Sequence, residues 1–175
     1  MTPDPAVIAD RAAPTVVTPV MPTSPRRPSW IALRAEPASV AKGRRFARDV
    51  VGGYTLDDDY LYLVRLLVSE LLTNAVNAAR AMRDWPYDSW PVRLDVAATN
   101  RWVYVAATDP DHRPLPAAAV GGLEAENGRG LHIIDGAATA RWPIYREHGK
   151  TIHVVVAAPG VTLTADELRR IGVPT

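Results

Sequence analysis

Residues 56–82 read LDDDYLYLVRLLVSELLTNAVNAARAM, an unbroken helical pattern longer than any other in the chain. Leu61, Val64, Val68, Leu71, Leu72, Ala75 and Ala79 recur at steps of three and four, so one face is apolar and is expected to pack on a core. Beside that face Glu70, Asn74 and Asn77 follow at offsets of four and three, which stacks a carboxylate and two carboxamides about one turn apart. On spacing alone this column reads as a solvated face. It also offers oxygen ligands for a hard cation and a proton acceptor, which is why the rest of the chain has to be weighed with it.

Working outward, Thr55 and Asp58 stand at capping-box spacing, and Asp57, Asp58 and Asp59 suit the positive end of the helix dipole. The helix is expected to end near Met82 to Asp84, ahead of Trp85-Pro86. Upstream, Trp30 to Ala35 is strand-like, and Pro37 opens a second helix closed by Gly52-Gly53. Downstream, Val92 to Ala98 and Trp102 to Thr108 flank Thr99-Asn100-Arg101 as an antiparallel hairpin. The segment Trp85 to Pro91, WPYDSWP, reads as a loop whose aromatics pack over a core edge or form an interaction surface, with packing the preferred reading. Residues 110–127 carry little periodicity and read as a functional loop. A short helix over Gly130 to Ala138, strands over Ala140 to Tyr145 and Thr151 to Ala157 joined by a turn at Glu147-His148-Gly149-Lys150, and a brief helix capped by Thr164 and Glu167 complete the order. That order predicts an α+β fold, a two-layer sandwich with helices on one face of a mixed, mainly antiparallel sheet.

The 175 residues, 47% of them hydrophobic, allow one domain with a sizeable core. Residues 1–28 hold seven prolines among small and polar residues and read as a disordered tail; 29–160 form the domain, and 161–175 a short C-terminal helix and tail. A net charge of +1, from 20 basic and 19 acidic residues, gives no electrostatic footprint for nucleic acid. The absence of cysteine removes thiol chemistry and disulfides, and the four histidines lack metal-ligand spacing. No apolar run is long enough to cross a bilayer and no export signal is evident, so a cytoplasmic protein without membrane attachment is expected.

The run Glu70 to Val76, ELLTNAV, resembles the N-box of the GHKL ATPases and kinases, and Gly128-Arg129-Gly130-Leu131 resembles their second glycine box, in family order. The likeness is nearest to the small anti-sigma-factor serine/threonine kinases, and it spans roughly Trp30 to Ala158. It implies a Bergerat-type ATP-binding fold with ATP and Mg²⁺ as cofactors. It implies Glu70 as general base, Asn74 as the Mg²⁺ ligand, and Asp109 as acceptor for the adenine amino group. Gly128, Arg129, Gly130 and Leu131 would bring a helix start to the phosphates, residues 110–127 would be the ATP lid, and Thr151 would hydrogen-bond near the adenine. A sigma factor, an antagonist protein and a second copy of the chain are the partners the likeness implies. The sequence departs from the family at Asp111 and Arg113, where the adenine-site box carries glycines, and at Asn77-Ala78, where relatives often read Arg-His. The other reading is a non-catalytic interaction module that keeps the fold.

Overall fold

The computed structural model describes residues 28–54, 56–82, 89–113 and 136–174. In chain order these give β1 (Ser29–Leu33), α1 (Ala38–Val51), α2 (Asp58–Ala81), β2 (Val92–Ala98), β3 (Trp102–Asp109), β4 (Ala140–Arg146), β5 (Gly149–Ala157) and α3 (Ala165–Ile171). The five strands form one sheet in the order β1-β2-β3-β5-β4. The fold is α+β, as the sequence predicts, with one correction: every hydrogen-bonded pair among the described strands is antiparallel, so the sheet is not mixed. β3 and β4 do run in the same direction, but β5 lies between them.

Alternation along the strands divides the sheet into two faces. Leu33 of β1, Val92, Leu94 and Val96 of β2, Val103, Val105 and Ala107 of β3, and Ile152, Val154 and Val156 of β5 point to the main core. α1 and α2 supply the opposing layer through Ala47, Val51, Val64, Leu67, Val68, Leu71, Leu72, Ala75 and Ala79. Tyr60, Leu67 and Val76 widen the buried stripe of α2 beyond the positions read from periodicity. The two helices meet closely at Gly43: a Cβ there would lie 2.1 Å from Leu72 Cδ1 and 3.3 Å from Leu94 Cδ2.

The other face is not bare. Ala97, Trp102, Trp142, Val155 and Leu163 form a second cluster, against which Leu168, Ile171 and Val173 from α3 and its following residues pack. α1 and α2 thus form the predicted helical layer on one face, while α3, which the sequence sets outside the domain, packs on the other. The Thr164 capping box is present, and Glu167 also pairs with Arg101 of the β2–β3 turn at 2.7 Å, tying α3 to that hairpin.

Three local expectations change. α2 is capped by Asp57, whose carboxylate accepts from the Tyr60 N–H at 2.7 Å; Thr55 lies outside the described residues. Trp90 is 51% exposed, with the Arg34 guanidinium 5.1 Å above its ring, so this aromatic of the WPYDSWP segment is not packed into a core edge. β5 begins at Gly149, so Gly149 and Lys150 belong to the strand and not to the preceding turn. The proline-rich tail over residues 1–27, most of the residue 110–127 loop and most of the helix expected over Gly130 to Ala138 lie outside the described residues.

Candidate functional site

Two anchors fix how α2 lies on the sheet. Near its start the Tyr60 hydroxyl donates to the Val156 carbonyl at 2.7 Å, and Val156 stands opposite Val103. Fourteen residues on, at a rise of about 1.5 Å each, Asn74 lies about 20 Å along the axis. Six residues of β3 from Val103 to Asp109 cover about 20 Å as well. Two residues short of Asn74, Leu72 sits beside Gly43 together with Leu94, whose partner on β3, Ala107, is two residues short of Asp109. The Glu70 to Asn74 turns thus reach the end of the sheet where Asp109 closes β3.

The helix also presents these residues on the proper side. α1 covers one flank of α2, where the Arg44 guanidinium donates to the Ser69 hydroxyl at 3.3 Å. Asn74 lies about 140° around the axis from Ser69 and Glu70 lies on the same far side, so neither is under α1. Both are half-buried, whereas Asn77 is exposed. A carboxylate and a carboxamide one turn apart supply hard oxygen ligands. Among the described residues no group of three or more His, Cys, Asp or Glu could hold a metal by itself. That donor set fits Mg²⁺, which retains water and phosphate oxygens and needs few protein ligands.

At the end of β3 the geometry is tighter. Asp109 is 3% exposed, on the helix-facing side of the sheet. Its Oδ1 accepts from the Asp111 N–H at 2.9 Å and from the Lys150 ammonium at 3.0 Å. Lys150, 6% exposed, also donates to the Asp111 carbonyl at 2.8 Å and lies 3.6 Å from Asp111 Oδ2. Arg113 then grips Asp111 with two donors, at 2.8 and 2.9 Å. Burial raises the Asp109 pKa above the usual carboxylate value, opposed by the Lys150 ammonium. The hydrogen bond from Arg113 holds Asp111 down at about 2.

Gly149 makes this corner possible. Its φ of +141° and its approach to β3, where a Cβ would stand 2.2 Å from the Asp109 carbonyl oxygen, exclude a side chain. Placing Gly149 inside β5 sets Lys150 opposite Asp109 in the register. The sequence reading put Lys150 in a turn and so missed it; the available signal was the strand period, which counts back from Ile152 to Lys150 on the core face.

Thr151, expected beside the adenine, is not brought together with Asp109. It alternates to the opposite face, where its hydroxyl and that of Thr108 lie 2.9 Å apart. Gly128, Arg129, Gly130 and Leu131 lie outside the described residues. Asp111 and Arg113, read as departures from the family box, form the ion pair that closes the Lys150 cluster.

An antiparallel sheet backed by two helices, with an oxygen-bearing turn of the longer helix at the end of the sheet that holds a buried aspartate, is the architecture of a Bergerat-type nucleotide-binding domain. Residues 33–156 match the family described as histidine kinase-like ATPase domain, which is most of the chain. The chain belongs to that family, within the GHKL superfamily, a membership that implies ATP binding. No curated protein matches the chain.

Proposed function

We propose that the protein is a regulatory ATP-dependent kinase of the anti-sigma-factor kind, which moves the γ-phosphate of Mg-ATP to a serine of an antagonist protein. The observation that carries the reading is the delivery of Glu70 and Asn74 by α2 to the end of the sheet that holds Asp109. In this reading Asp109 accepts from the adenine amino group, Asn74 contributes an oxygen to Mg²⁺, and Gly128 to Leu131 are assigned to the phosphates by the resemblance to the family's glycine box. When bound, Mg²⁺ neutralises phosphate charge. Glu70 takes the proton of the serine hydroxyl as its oxygen forms a bond to the γ-phosphorus and the bond to the ADP oxygen breaks. A sigma factor and a second copy of the chain are the further partners of this proposal, and the cytoplasm its compartment. No helix among the described residues is long and apolar enough to cross a membrane.

The non-catalytic reading draws on the Asp111–Arg113 pair, which makes a charged clamp where the family box has flexible glycines. Glu70→Gln separates the two. For a kinase, thermal stabilisation by millimolar Mg-ATP is kept while transfer of labelled γ-phosphate to co-purified partner proteins falls by about 100-fold or more. Transfer that survives in Glu70→Gln removes Glu70 as the base. An unchanged melting temperature of the parent protein with Mg-ATP removes the nucleotide site.

A further inference from the structure

Lys150 has no part in the mechanism above, yet it is a buried cation in contact with the carboxylate that the mechanism assigns to the base. Its ammonium donates to Asp109 Oδ1 at 3.0 Å and to the Asp111 carbonyl at 2.8 Å, and lies 3.6 Å from Asp111 Oδ2, an ion-pair distance. Buried, and committed to these oxygens, the ammonium acts on a ligand through Asp109. We propose that Lys150 is a positioning and specificity-determining residue of the base site, one that keeps Asp109 a pure hydrogen-bond acceptor so that the site takes a purine with an amine at C6 and refuses one with a carbonyl there. The inference rests on the nucleotide reading given above.

The physical reason is the burial of the pair. An isolated carboxylate with its side chain 4% exposed takes up a proton to avoid the cost of a buried charge. A protonated Asp109 presents an O–H donor, which opposes an amine and complements a carbonyl. The groups facing Asp109 are Lys150 from β5 and Asp111 from the segment after β3, with Arg113 behind Asp111. Arg113, Asp111, Lys150 and Asp109 alternate in sign and sum to zero. Removing Lys150 leaves two adjacent carboxylates against one exposed guanidinium, and the buried one protonates first.

The test is calorimetric titration of the full chain with ADP and with inosine diphosphate, which carries a carbonyl in place of the C6 amine, from about pH 8 to about pH 5.5. The parent protein is expected to prefer ADP by a constant factor over that range. In Lys150→Met the preference falls by about tenfold per pH unit below the new Asp109 pKa, since one proton is then linked to the choice of base. Lys150→Gln, which keeps a hydrogen-bonding group of similar length without the charge, gives the same decline and serves if the methionine variant does not fold. A flat, parent-like preference in either folded variant overturns the proposal, as does tighter ADP binding, which makes Lys150 an obstruction. A parent protein whose own ADP preference decays over this range overturns it even where neither variant folds. Parent protein that is folded and binds neither nucleotide defeats the nucleotide reading itself, and the inference with it.

Discussion

Gly149 is the residue on which the Asp109 corner depends. Alanine there needs a backbone conformation that L-residues avoid and puts a methyl group into the Asp109 carbonyl. Gly149→Ala is expected to cost about 2 kcal/mol or more, seen as a lower urea midpoint, and to weaken nucleotide binding together with stability. His153 shows a different single-residue effect. It shares a 2.8 Å hydrogen bond with the Tyr104 hydroxyl and stacks on Trp142 at 5.0 Å, and burial lowers its pKa. A histidine depressed in the folded state contributes stability that is whole above its ordinary value and is lost as pH falls through the folded one. Stability should therefore decline as pH drops below about 6.5. His153→Phe, which keeps a ring against Trp142, should flatten that decline in urea titrations at stepped pH. Asp111 acts lower down: depressed to about 2, it gives up its contribution below the ordinary carboxylate range as pH falls toward that value.

At the scale of elements, α2 joins packing to function, and its start sets its register. The Asp57 cap holds the first turn, and Tyr60, which that cap bonds, reaches the Val156 carbonyl on β5. Asp57→Ala is expected to lower stability by about 1 kcal/mol by urea denaturation. The helix is continuous, so this is a loss of anchoring and not of the Glu70 turn. β5 is the second element of consequence. Starting two residues earlier than the strand expected from Thr151, it carries Gly149 and Lys150 into the sheet, with Lys150 opposite Asp109. Turn chemistry in Glu147-His148-Gly149-Lys150 pointed to a loop there, and pairing with both β3 and β4 overrode it.

For the molecule as a whole, the sheet is covered unequally. α1 and α2 bury the main core, while Trp102, Trp142 and Val155 on the reverse face depend on Leu163 and the short α3. α3 is seven residues long, too short to be a stable helix alone, and is held by its capping box and the Arg101–Glu167 pair. Deleting residues 164–175 should leave the α1–α2 core intact but expose the Trp102–Trp142 patch. The expected result is increased binding of a hydrophobic dye and a lower melting temperature, with the helical signal nearly unchanged. A truncated chain that melts like the parent and takes up no dye would show that α3 is dispensable. The family match ends at residue 156, so this cover belongs to the chain's own C-terminal part.

Periodicity and capping residues, both local properties, determined α1, α2, the β2–β3 hairpin and the capping box of α3, because each repeats within a few residues along the chain. The stripe of Glu70 and Asn74 was legible for the same reason, but its role, and that of Asp109, came only from the resemblance to the GHKL motifs. The tertiary structure decided what no local pattern carries: β5 inserted between β3 and β4, α3 on the reverse face, and the register that sets Lys150 opposite Asp109. Register across strands is set by which faces can be buried together, and one residue of shift in where β5 is counted from exchanges every side chain between the two faces.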